Sequence, residues 1–225
     1  GGGGVLHGTA LKGHPISVYV QSQYSGVTGV CSADQGGFGY GRDFPNKRLL
    51  DMYGPDDKRL DCWFKTTFYY NDPASPNYGQ EIVQGSIPAA SRAQYIARLH
   101  PMSTKHADFW TNADDPERTT SFRDLIVYRL AETVLMCSEA YFHKGDNENA
   151  VKYFNMTYER AGNTKFEGTL TLEDILDEYA RELNFEGVRW PLLKRLGLLG
   201  EYCKQWEGET MADNPYLDKD YTYAR

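Results

Sequence analysis

The sequence predicts a mainly α fold, in which helix pairs joined by short turns alternate with long irregular loops and a minor β element. Three observations predict it. Up to about Pro116 the chain is punctuated by Gly and Pro, as in the glycine-rich run from Tyr24 to Gly41, a texture of loops rather than of periodic elements. Beyond Pro116 apolar residues recur at three- and four-residue spacing, the period of a buried helical face. Between the two, Cys62, Phe64, Thr66, Phe68 and Tyr70 alternate with Asp61, Trp63, Lys65, Thr67 and Tyr69, the two-residue period of a strand, which the turn signal Asn71-Asp72-Pro73 would end.

The first long helix is expected over Phe122 to Lys144, with Leu125, Tyr128, Ala131, Val134, Leu135, Ser138 and Tyr141 on its inner face and Gly145 as its stop. Asp146 or Asn147 can cap a second helix that runs to Ala161, faces inward through Ala150, Val151, Phe154 and Tyr158, and ends at Gly162. So short a turn forces the pair to lie antiparallel. A third helix starts at Thr171, whose hydroxyl can accept from the Asp174 backbone while that carboxylate reaches back, an Asp version of the capping box. Its apolar face is Leu172, Ile175, Leu176, Tyr179 and Leu183, and Gly187 should close it. Trp190, Pro191, Leu192, Leu193 and Leu196 follow as an apolar return segment, with Trp190 expected in the core. The chain therefore divides into a loop-rich segment (1–116), a helical core (117–200) and an irregular tail (201–225).

With 225 residues, 40% of them hydrophobic, the chain can bury one sizeable core. A net charge of −7 and the absence of any Lys/Arg cluster argue against nucleic acid as a partner. No apolar run approaches the roughly 20 residues of a membrane-spanning helix. Cys31, Cys62, Cys137 and Cys203 show neither zinc-ligand spacing nor the density of a disulfide framework, and Cys137 sits in an apolar helix where packing is its expected role. His7, His14, His100, His106 and His143 have no metal-ligand spacing, and neither Asp56-Asp57 nor Asp114-Asp115 sits in a calcium-loop pattern, so no metal and no cofactor is expected. The opening Gly1-Gly2-Gly3-Gly4 reads as a linker, so the natural N-terminus is expected to lie elsewhere.

Glu178, Glu182 and Glu186 repeat every four residues and share a helical face, which resembles the carboxylate pair of a glycoside hydrolase. Nearby Arg181, Arg189, Lys194 and Arg195 favour a structural ion-pair network that joins the third helix to the return segment. No catalytic residue is assigned.

Four stretches carry a resemblance to known families. Lys144 to Phe154, KGDNENAVKYF, looks like the turn and second helix of a tetratricopeptide unit, so the helix pairs are expected to be tetratricopeptide-like. Tyr128 to Ala140, YRLAETVLMCSEA, resembles the "RLAE, LLM, AEA" helix of the SusD/RagB family. Thr171 to Gly197, TLEDILDEYARELNFEGVRWPLLKRLG, resembles that family's C-terminal signature, and Asp57 to Leu60 resembles its "DPRL", with Tyr179, Val188 and Leu192 as departures. Matches in the right order cover about residues 45 to 200, the C-terminal half of a family member.

The resemblance implies an outer-membrane, cell-surface-facing lipoprotein of a Bacteroidetes-type bacterium. Such a protein captures glycan without catalysis, delivers it to a SusC-like TonB-dependent transporter, and touches the membrane through a lipid anchor on an N-terminal part absent here. A peptide-binding or structural lid subunit is the alternative it leaves open. Sugars stack their C–H faces on aromatic rings and take hydrogen bonds from amides and carboxylates, so a glycan site should be aromatic and loop-borne. The aromatic share of 14%, much of it in loops, supplies candidates: Trp110 beside Asn112, Tyr78 beside Asn77 and Gln80, and Trp63, Tyr69 and Tyr70 at and near the strand.

Overall fold

The structure, a computed structural model, describes residues 45–65, 76–81, 102–105 and 126–205. Of these, 47–61 and 126–205 form one compact unit, and 45–46, 62–65, 76–81 and 102–105 belong to another. Among the described residues the elements in chain order are α1 (Lys47–Asp51), α2 (Arg59–Trp63), β1 (Phe64–Lys65), β2 (Met102–Ser103), α3 (Leu130–His143), α4 (Asn147–Tyr158), α5 (Leu172–Leu183), α6 (Arg189–Arg195) and α7 (Leu199–Gln205). The fold is mainly α with a minor β element, as the periodicities predict, and none of the described helices is long and apolar enough to cross a membrane.

Each helix of the core forms where its local chemistry directs. In α3, Ala131, Val134, Leu135 and Ser138 are buried one turn apart. Gly145, at φ +75°, turns the chain with no Cβ penalty. The Asp146 side chain then accepts from the Asn149 backbone N–H and starts α4, whose Ala150 and Phe154 face inward. Here the pair comes close enough for the Ser138 hydroxyl to donate to the Ala150 carbonyl at 2.8 Å, a contact that needs small residues on both helices. At the far end Gly162, at φ +98°, lies where a Cβ would stand 2.7 Å from the Asp56 carbonyl oxygen, so any side chain there meets backbone.

The capping box predicted for α5 is present in both halves, Asp174 N–H to Thr171 Oγ1 at 3.1 Å and Thr171 N–H to Asp174 Oδ2 at 2.8 Å. Helix α5 packs on both α3 and α4, and Ile175, Leu176, Tyr179 and Leu183 join Leu135 and Phe154 in one core. Asn155 holds the α4–α5 connection: its side chain donates to the Phe166 carbonyl and accepts from the Phe166 N–H, both at 2.8 Å.

Five expectations change. The helix predicted from Phe122 starts at Leu130, so Tyr128, expected inside, stands 77% exposed ahead of it. The strand predicted from Asp61 begins at Phe64, because Asp61, Cys62 and Trp63 belong to α2. It pairs antiparallel with β2, Phe64 opposite Ser103, while 66–70 lie outside the described residues. The return segment is the helix α6, which buries Leu192 and Leu193 and leaves Trp190 63% exposed, not in the core. A seven-residue helix has one buried stripe, and the adjacent Leu pair occupies it. Cys137 is half-buried, and α7 carries helix past residue 200.

Candidate functional site

The repeating carboxylates of α5 lie beneath the surface. Glu178 and Glu182, four residues apart and therefore stacked on one face, are fully buried. The guanidinium between them comes from α2. Arg59 Nη1 donates to Glu178 Oε1 at 2.8 Å and to Glu182 Oε2 at 3.0 Å, and its Nη2 and Nε reach Asp57 at 2.6 and 2.9 Å. Arg181 donates to Glu178 at 2.9 Å, Arg160 donates to Glu182, and Asn163 completes the shell of Asp57 at 2.8 Å. Arg129, one residue ahead of α3, donates to Glu182 at 2.7 Å and grips Glu186 with two parallel bonds of 2.6 and 2.9 Å.

The sequence anticipated a network at these glutamates but chose the wrong partners for most of it. Of the nearby basic residues Arg181 takes part, whereas Arg195 pairs with Glu139 at 2.7 Å and Arg189 donates to the Leu176 carbonyl at 2.8 Å. The network therefore ties α5 to α2 and to the segment ahead of α3, not to the return segment.

This arrangement holds protons away. Burial alone would raise the Glu182 carboxyl, but hydrogen bonds and charge from Arg129 and Arg160 outweigh it and hold the group below its ordinary 4.5. For Asp57 burial is likewise outweighed by the bonds from Arg59 and Asn163, which hold it below 3.8. Buried, ionised and saturated with donors, these carboxylates have neither the accessibility nor the protonation a general acid needs. Because folded-state values lie below the unfolded ones, the stability the pair contributes is fully present above about pH 5 and is lost as pH falls through the depressed folded values. Urea titrations at stepped pH should show a flat midpoint between pH 6 and 7 and a steep fall below about pH 4. A midpoint indifferent to pH down to 3 would remove this linkage.

A second feature is a cavity of about 330 Å³ at the corner between α5 and α6, walled on its other side by the start of α3. Tyr128, Glu132 and Met136 line one wall, Glu186, Val188 and Arg195 the other. The corner is shaped by two residues in the left-handed region, Gly187 at φ +78° and Phe185 at φ +60°, the latter an unusual conformation for a side-chain-bearing residue. Behind it, the Tyr179 hydroxyl donates to Glu139 at 3.4 Å. Burial and the Glu139 charge push the Tyr179 phenol up. Among the described residues no group of three or more His, Cys, Asp and Glu side chains is placed to hold a metal ion.

Of the aromatic residues the sequence singles out, Tyr78 stands 59% exposed in the turn Pro76–Gly79, where Gly79 at φ +76° and a bond from Gln80 N–H to the Asn77 carbonyl set the backbone. Trp63 is half-buried, and the Lys105 ammonium sits 3.9 Å from its ring centroid, so one face of the indole is occupied. Tyr69, Tyr70, Trp110 and Asn112 lie outside the described residues. The walls of the corner cavity were missed, because Tyr128 falls in register with the inner face of a helix that starts later. No local sequence signal marks it, because Arg129 lies off the predicted inner face and its carboxylate partners are 53 and 57 residues away.

The sequence profile of the SusD family matches residues 21–224. The starch-binding protein SusD of Bacteroides thetaiotaomicron is 36% identical over 90 residues, which are 39% of this chain and 16% of that protein. The crystal structure of a SusD superfamily protein from Bacteroides vulgatus ATCC 8482 aligns with a TM-score of 0.50 at 24% identity, covering 72% of this chain and 35% of that one, a likeness of fold. The matches thus span at most about a third of either relative's own length.

Proposed function

This chain belongs to the SusD family, and from that membership we propose that it serves a cell-surface glycan-binding lipoprotein, which captures oligosaccharide without catalysis and delivers it to a SusC-like TonB-dependent transporter in the outer membrane. The observation that carries the reading is the match to a protein named for starch binding, taken with the family match over 21–224. The carboxylates that most resemble a hydrolase pair are consumed in an internal network, which supports binding over catalysis. In this reading the loop-rich segment 1–116 carries the sugar platform, and the helical segment 117–200, followed by the tail 201–225, is its scaffold.

Within that segment we place the sugar on Trp110 and Tyr78, with Asn112 as a hydrogen-bonding neighbour and Tyr69 and Tyr70 as further rings. Trp63 ranks below them because Lys105 covers one face. Calorimetric titration of the full-length protein with starch oligosaccharides tests it. Trp110→Ala, alone or with Tyr78→Ala, should weaken binding by about 1–3 kcal/mol, the scale of a lost aromatic contact, with the melting temperature unchanged. Unchanged affinity, or destabilisation without a specific loss of binding, would remove these residues. Binding of a peptide panel in place of the sugars would favour the peptide or lid alternative.

A further inference from the structure

The corner cavity holds a carboxylate that the network does not use. Glu132 projects from α3 into it, half-buried, and among the described residues its carboxylate has no hydrogen bond and no ion pair. The groups around it are Glu186, held by Arg129, and Arg195, held by Glu139, which also receives the Tyr179 hydroxyl. Glu182, the other partner of Arg129, also has Arg59 and Arg160, and Glu139 also has His143 at 3.7 Å. Among the described residues Glu132 is the carboxylate of this corner that stands without an ion pair.

The surfaces beside that charge are of the wrong kind for water alone. Tyr128 is 77% and Met136 54% exposed, one on each side of Glu132 along the wall, and Val188 faces them. An apolar stem with a cationic tip matches both features at once: methylenes on Met136 and Val188, the cation beside Glu132 and within reach of the Tyr128 ring face. The volume, about 330 Å³, is at the small end of ligand pockets and suits a single side chain.

We infer that this corner cavity is a docking pocket for a lysine or arginine side chain of a partner polypeptide, seated between Glu132 and Tyr128. The occupant is fixed by charge complementarity, because a neutral sugar hydroxyl leaves the Glu132 charge unmatched whereas one ammonium or guanidinium cancels it. Burial, and the neighbouring Glu186 charge, push the Glu132 carboxyl above its ordinary 4.5 against the opposing pull of the Arg129 charge. The pocket is independent of the glycan platform, so either can fail alone.

The test uses the full chain with ¹³C-methyl-labelled methionine, so that the Met136 signal reports the pocket itself, and three capped pentapeptides, Gly-Gly-X-Gly-Gly with X arginine, lysine or citrulline. The arginine and lysine peptides should shift Met136 saturably, and the uncharged citrulline peptide should bind at least about tenfold more weakly. Glu132→Gln should cost a similar factor with its melting temperature unchanged, and Tyr128→Ala should weaken the arginine peptide as well. Wild-type affinity should decline with falling pH from a point above 4.5, as Glu132 takes a proton. Equal binding of citrulline and arginine, an unaltered Glu132→Gln, no Met136 shift with any peptide, or a Met136 shift produced instead by maltoheptaose would each overturn the assignment.

Discussion

Arg59→Met should destabilise the chain by about 3–5 kcal/mol, a large part of the total stability of an ordinary domain. The side chain is 4% exposed and serves three carboxylates, Asp57, Glu178 and Glu182. Removing it strands charge in a place water cannot reach. Glu182 retains Arg129 and Arg160, and Glu178 retains Arg181, but Asp57 is left with Asn163 as its side-chain donor. The loss therefore comes mainly from unpaired anions rather than from missing contacts, and replacing Asp57 and Glu178 by apolar residues in the same background should recover much of it. Urea unfolding at pH 7 measures both. A single-variant loss under about 1 kcal/mol would mean that the network is hydrated and screened like a surface pair.

Phe154→Ala should cost a similar amount, about 3–5 kcal/mol, by a different route. Phe154 is 1% exposed in the middle of the core, with the Tyr158 ring 5.0 Å away, tilted, and the Phe166 ring 5.5 Å away, edge-on. Truncation removes the transfer energy of the ring and leaves a cavity, because neither neighbour can swing in. Tyr158 shares the rigid α4 backbone, and Phe166 is held through its own N–H and carbonyl by Asn155. A loss below about 2 kcal/mol would show that the α4–α5 connection collapses into the hole despite those bonds. The two variants should also differ in pH response: the deficit of Arg59→Met should shrink toward acid, where the stranded carboxylates protonate, and that of Phe154→Ala should not.

The candidate sites were legible in the sequence to different degrees. The aromatic, loop-borne residues could be named from side-chain chemistry alone, and for Tyr78 exposure in a Gly79-assisted turn is where such a residue would have to be. Trp63 could not be judged that way, since the ammonium over its ring comes from Lys105, on the far side of a strand pairing that leaves no local trace. The corner cavity was not legible at all. Its walls come from residues 127–136 and 179–195, and each wall taken alone reads as an ordinary helix face.

What the sequence by itself determined is whatever depends on neighbours within a turn or two of chain. The Thr171–Asp174 capping box, the Asp146 cap, the left-handed glycines at 145, 162 and 187, and the buried stripes of α3 to α5 all rest on interactions spanning a few residues. The family motifs are legible for the same reason. Tertiary structure alone decided the partners and the facing: Arg59 reaches Glu178 across 119 positions of sequence, Arg129 reaches Glu186 across 57, and Trp190 faces outward because Leu192 and Leu193 fill the one buried stripe of α6. A guanidinium is long and flexible enough to satisfy any carboxylate the fold brings near it, so spacing along the chain cannot choose its partner. Burial makes the choice, because a charge removed from water must be matched by whichever opposite charge is removed with it.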